Sequence, residues 1–260
     1  VVDNRTGAAG SIAAALVARA SGDGYTGLII SSSYAINPSL YEHLPFDPLK
    51  DFAPVALIAE APFVLVVHPT LPVRTVADLI ARAKDKPGGL TFASGGTGSS
   101  GHLAGELFKH LTGAPLTHIP YKGAGPALID VIAGQVDLTF ASVLSSLPHL
   151  RTGKLKALGV TGARRSAALP DAPTIAESGV KDYATTTWYG LLLPATAPAT
   201  IVDKLNHEVR KALTAPDLSR RFTSDGAEAA DTTPGQFRKY LGAEVVKWRS
   251  VVRAAHVRME

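Results

Sequence analysis

The 260-residue chain is 46% hydrophobic and 18% charged, which excludes a disordered polypeptide and leaves room for one large domain or two lobes. Its net charge of +4 is mild and scattered, and the basic pairs Arg164-Arg165 and Arg220-Arg221 lack interleaved aromatic residues, so no nucleic-acid partner is expected. There is no cysteine, which excludes disulfides, thiolate catalysis and Cys-ligated zinc and suits an exported bacterial protein; no apolar run reaches the length of a membrane span.

The chain opens on Val1-Val2-Asp3-Asn4, which reads as the end of a strand; no signal peptide is present, and a leader or more is expected upstream. In chain order the pattern predicts a helix over 12–20, a strand over 27–31, and strands over 53–59 and 63–67. A helix follows over 76–83, then strand 90–93, helix 100–111, strand 116–120, helix 126–133, strand 136–140 and helix 144–151. Strands over 155–161 and 189–193 precede helices over 201–213 and 236–255, the last two announced by Ala199-Thr200 and Thr233-Pro234. This alternation argues for α/β architecture with largely parallel sheets. Proline-bounded passages at 68–72 and 193–198 flank a self-contained βα series and read as crossings between lobes. The expected division is residues 1–67 plus 191–260 for one lobe and 68–190 for an inserted second lobe, with closure hinging at the two passages. A single doubly wound domain with two ordinary loops is the alternative.

Three strand-to-helix turns carry candidate chemistry. Ser94-Gly95-Gly96-Thr97-Gly98-Ser99-Ser100-Gly101-His102 contains the G-x-G-x-x-G dinucleotide pattern at Gly96, Gly98 and Gly101. The acid that would hold a ribose is missing, because the next strand ends in Tyr121-Lys122-Gly123. What survives is an anion site of small residues, helix-start amides and the hydroxyls of Ser94, Thr97, Ser99 and Ser100. Ser100 and His102 are close enough in sequence for a Ser–His pair, although a histidine at a helix start is usually structural. The second turn, 120–127, offers the Tyr121 hydroxyl, the Lys122 charge, and backbone freed by Gly123 ahead of Ala124, though a turn lysine usually points at water. The third, Ser31-Ser32-Ser33-Tyr34, ends a strand where open α/β sheets place ligands, and before Asn37-Pro38 it is also ordinary turn chemistry. No nucleophile elbow, P-loop or histidine metal spacing is present, so neither metal nor cofactor is expected, and binding outweighs catalysis.

Several segments are similar to the tripartite tricarboxylate transporter receptors, the Bug family. Residues 1–10 resemble its "V-V-x-N-R-x-G-A-x-G" segment, and 23–26, 35–41, 46–48 and 51–55 follow in order, as do 102–108, Tyr121-Lys122-Gly123, 134–137 and 169–174. The resemblance implies a two-lobed periplasmic binding protein of type II, monomeric, which delivers a small carboxylate to membrane transporter subunits. It implies binding by Ser32, Ser33, Tyr34, Ser94, Gly96, Thr97, Ser99, Ser100, His102, Tyr121, Lys122, Gly123, Ala124 and Ser142. Relative to the family the chain lacks one strand and helix before Val1, together with a glycine-rich loop, and is expected to be a piece of a longer protein. Where the family commonly has Phe-Asp-Asn, this chain has Phe140-Ala141-Ser142; losing that acid implies a ligand without an ammonium group. A dicarboxylate or an aromatic acid is expected, with Tyr34 offering a ring face. A nucleotide-dependent α/β enzyme and a receptor serving signalling remain the alternatives.

Overall fold

A computed structural model describes residues 1–5, 10–224, 226–255 and 257; Thr6, Gly7, Ala8 and Ala9 of the family-like opening segment lie outside the described residues. The first part of the chain forms α1 (Ser11–Ala18), β1 (Leu28–Ser31), α2 (Ser33–Leu40) and the 16-residue strand β2 (Phe52–Val67). There follow α3 (Val76–Asp85), β3 (Leu90–Ser94), α4 (Ser100–Thr112), β4 (Leu116–Pro120), α5 (Ala124–Ile132), β5 (Leu138–Ser142), α6 (Val143–Arg151) and β6 (Lys156–Val160). The chain closes with β7 (Thr186–Pro194), α7 (Ala199–Leu213), α8 (Pro216–Ser224), β8 (Glu228–Ala229) and α9 (Pro234–Ala254).

Strand β2 organises both lobes. Its first part, Phe52 to Pro62, pairs antiparallel with β7, which carries β1 on its other side. Its second part, Phe63 to Val67, pairs antiparallel with β5 and β6. Beyond β5 the parallel pairing implied by the βα alternation appears, with β3 beside both β5 and β4. Val64, Leu65, Val66 and Val67 are all fully buried because both faces of the sheet are covered. Alternation divides them: Leu65 and Val67 join Phe108, Phe140 and Tyr183 in one cluster, while Val64 and Val66 join Leu128, Val131 and Val143 in another. Each such side chain contributes up to about 1.5–3 kcal/mol.

The two strands expected over 53–59 and 63–67 are therefore one. Pro62, which reads as a break, sits where the strand leaves one sheet for the other and pairs only with Thr186 at the end of its ladder. The passages 68–72 and 193–198 follow the ends of strands: Val67 is opposite Leu138 and Lys156, and Pro194 is opposite Phe52. Prolines end strands as readily as they mark hinges, and sequence does not separate the two. The change of sheet falls at Pro62/Phe63 and is fastened by Thr161, which is fully buried. Its Oγ1 accepts the Phe63 N–H at 2.8 Å, its N–H donates to the Phe63 carbonyl at 2.9 Å, and its carbonyl accepts the Thr185 N–H at 2.9 Å.

Local signals explain most helix ends. Thr75 and Thr233 form capping boxes with Asp78 and Gln236, Pro234 occupies the start of α9, and Gly113 closes α4 in the left-handed region at φ +63°. The long helix α9 is anchored by Glu244, whose Oε2 accepts both the Trp188 and Trp248 indole N–H groups at 3.0 Å. Among the described residues no helix is long and apolar enough to cross a membrane.

Candidate ligand-binding site

The parallel register of β3, β4 and β5 brings their carboxyl ends to one edge: Ser94 is opposite Pro120, and Ala93 is flanked by Ile119 and Thr139. The chain turns there into α4, α5 and α6. From the other lobe β1 ends at Ser31 and turns through Ser32 into α2, and Ser32 Oγ lies 3.4 Å from Ser100 Oγ at the start of α4. The first amides of each helix have no intrahelical acceptor and carry the positive end of the helix dipole. Ser99 Oγ accepts the His102 N–H at 3.3 Å and Ser142 Oγ accepts the Ser145 N–H at 3.1 Å, leaving the Ser100, Gly101, Val143 and Leu144 amides at those amino ends outside the helical ladder.

Glycine makes this convergence possible. A Cβ on Gly101 would lie 2.9 Å from the Phe140 carbonyl, and one on Gly96, at φ +124°, would lie 3.2 Å from the Tyr121 carbonyl. The glycines that match a dinucleotide pattern thus let three turns pack against one another.

The expected site residues divide into three groups. Thr97, Lys122, Ala124 and Ser142 are exposed, while Gly96, Ser99, Ser100, Gly123 and Ser33 are half-buried at the same turns; Ser33 Oγ shares a 2.9 Å hydrogen bond with Ser31 Oγ. Tyr121 is half-buried, but its hydroxyl donates to Asp130 Oδ2 at 2.6 Å, and that bond pushes its pKa up to about 12. Ser32, Tyr34, Ser94 and His102 are buried. The Tyr34 ring stacks on Phe46 and meets Phe52 edge-on, and its hydroxyl donates to the Pro48 carbonyl at 3.0 Å. Burial, then Asp51 and Asp47, raise the Tyr34 pKa. The ring face expected for an aromatic acid is spent on core packing. Ser94 is committed to His118, with Oγ 2.6 Å from Nε2. His102 makes no pair with Ser100: its Nδ1 accepts the Gly98 N–H at 3.0 Å, and Nε2 lies 3.6 Å from Glu106 Oε1.

His118 went unremarked in the sequence reading. It stacks on His102 with centroids 3.8 Å apart, and burial followed by the neighbouring His102 lowers its pKa to about 4. The available signal was a histidine on a short strand two residues before a glycine turn. Among the described residues no group of three or more His, Asp or Glu side chains is arranged to hold a metal ion.

Opposed helix amino ends at the strand ends of two lobes, joined by a strand common to both sheets, define a two-lobed solute-binding protein. The sequence matches the family model described as tripartite tricarboxylate transporter family receptor over residues 1–257. Protein BugT of Bordetella pertussis is 36% identical over 262 residues, an alignment covering 100% of this chain and 80% of BugT. The structure is similar to that of R. palustris Rpa4515 with adipate (TM-score 0.80, 39% identity, 100% of this chain and 87% of that one). It is also similar to MatC from Rhodopseudomonas palustris with bound malate (TM-score 0.74, 32% identity, 95% and 85% of the two chains). The chain belongs to the tripartite tricarboxylate transporter receptor family, a family of substrate-binding receptors rather than enzymes.

Proposed function

We propose that the chain is a periplasmic, monomeric receptor that takes an aliphatic dicarboxylate between its lobes and presents it to the membrane subunits of a transporter. The observation that carries this reading is the meeting of the α2 and α4 amino ends from different lobes, with Ser32 Oγ 3.4 Å from Ser100 Oγ. Exposed or half-buried Thr97, Ser99, Lys122, Gly123 and Ser142 lie at the turns of the same sheet edge and offer neutral donors and one cation. Helix amino ends favour an anion, and hydroxyls with backbone amides accept a carboxylate without a dedicated arginine. The adipate and malate held by the two relatives support the same ligand class. Ala141, which stands where the family commonly has the acid that could pair with a ligand amine, favours plain acids over amino acids. The hydrogen bonding supports lobe limits slightly inside the expected ones, with residues 63–185 as the inserted lobe and closure pivoting about Phe63 and Thr161.

Titration calorimetry with adipate, malate, L-aspartate, benzoate and NAD tests the proposal. Adipate or malate is expected to bind at least about tenfold, roughly 1.4 kcal/mol, more tightly than aspartate or benzoate. Binding of NAD alone, or aspartate bound most tightly, overturns it. Sedimentation at the same concentrations is expected to give a monomer with and without ligand.

A further inference from the structure

Two buried or half-buried histidines lie beneath the glycine turn, and each is tied to it by a hydrogen bond. Because His102 Nδ1 accepts the Gly98 N–H at 3.0 Å, the His102 ring carries its proton on Nε2, facing Glu106 Oε1 at 3.6 Å. On the other ring, His118 Nε2 lies 2.6 Å from Ser94 Oγ, and the same oxygen accepts the Gly96 N–H at 3.2 Å. The single Ser94 proton has two acceptors in reach, His118 Nε2 and, at 3.1 Å, the Gly96 carbonyl. Whichever acceptor takes it, His118 Nε2 and Ser94 Oγ share a hydrogen bond that ties His118 to the Gly96 amide. The rings stack within 20° of parallel. Behind them, burial opposes ionisation of Glu106, but hydrogen bonds from His102 and Lys109 outweigh it and hold the carboxyl below its usual range.

We propose that His102 and His118 are positioning residues that clamp Gly96 and Gly98 from below and hold the turn in its carboxylate-receiving shape. Gly96 at φ +124° and Gly98 at φ +77° flank exposed Thr97. Backbone at such glycines has many alternatives, and a turn left loose would have to be ordered when ligand arrives, at the expense of affinity. The clamp moves that ordering into folding. Its bearing on affinity rests on the carboxylate reading above; its bearing on the shape of the turn does not.

The test joins three measurements on the full chain. Nitrogen-15 NMR of the wild type at neutral pH is expected to show His102 as the Nε2–H tautomer; a His102 proton on Nδ1 overturns the proposal. Hydrogen exchange without ligand follows the amides of residues 96–100 in His102→Leu, His118→Leu, His102→Asn and His118→Gln. The leucine variants are expected to exchange these amides at least about tenfold faster while distant core amides keep their rates. Asn at 102 and Gln at 118, which retain an acceptor near Nδ1 and Nε2, are expected to restore slow exchange. Equal exchange in leucine and amide variants overturns the clamp. If the leucine variants fail to fold, the His102 tautomer and the exchange of the amide variants still decide. Adipate affinity is expected to fall about tenfold in the leucine variants and recover in the amide ones, the scale of one lost buried hydrogen bond. Should the wild type bind no carboxylate, the ligand reading falls, and the His102 tautomer and exchange rates judge the clamp independently.

Discussion

Replacing Thr161 with valine tests the fastening between the lobes, because valine keeps the shape and removes only the hydroxyl. Thr161 Oγ1 accepts the Phe63 N–H at 2.8 Å at the point where β2 changes sheet, and the site is fully buried. A buried N–H left without an acceptor costs about 1–3 kcal/mol, partly offset by no longer burying a hydroxyl, so a net loss of about 1–2 kcal/mol is expected. At about 2–4 °C per kcal/mol for a chain of this size, Tm should fall by about 2–8 °C. Urea unfolding should show a lower midpoint with an unchanged slope, since no new surface is exposed. Thr161→Ser, which keeps the hydroxyl and loses a methyl group, should cost no more than about 1 kcal/mol. A valine variant as stable as wild type, or a serine variant less stable than the valine one, refutes the view that this hydroxyl secures the crossing.

Three other outcomes follow from the same structure. His118 is held neutral in the fold at a pKa of about 4, by burial and then by His102, with Glu106 opposing and Lys109 assisting. Below the unfolded value of about 6.5 the unfolded chain takes up a proton the native state refuses, so this stability is fully present above pH 6.5 and is lost as pH falls to about 4; His118→Gln should flatten that part of a stability–pH curve. Ser142→Asp retains a competent cap for α6 while adding a carboxylate at an exposed position of the proposed site, and calorimetry should show aspartate gaining affinity relative to malate. Glu244→Leu strands the indole N–H groups of Trp188 and Trp248 in the core, and denaturant unfolding should report a loss of about 2–5 kcal/mol.

The turns at strand ends were legible because their chemistry is local: glycines, hydroxyls and a following helical period. What those side chains do was less so. Ser94 and Tyr34 look like free hydroxyls in sequence, and only the tertiary structure brings His118 and the Pro48 carbonyl to them. Helix α2 was hidden because Asn37-Pro38 reads as a turn; burial of Tyr34, Ala35 and Ile36 overrides the hydrogen bond that Pro38 cannot make. Helix α8 fully buries none of its residues and has only Leu218 and Phe222 at helical spacing, too short an apolar period to stand out. The passage of β2 between sheets was not legible for a different reason: a strand serving two sheets has no turn signal where it passes between them.

That common strand also governs the order of assembly. The inner partner of β2, β7, lies in the second half of the chain, beyond the whole inserted lobe. Loop closure over such a distance is slow, and the sheet of β1, β7 and the first part of β2 is incomplete until it happens, whereas the sheet built on Phe63 to Val67 uses only strands that precede β7. During synthesis Phe52 to Pro62 must therefore wait, exposed and apolar, for a late-arriving neighbour. In refolding, the amides of β3, β5 and β6 should gain protection before those of β1 and β7.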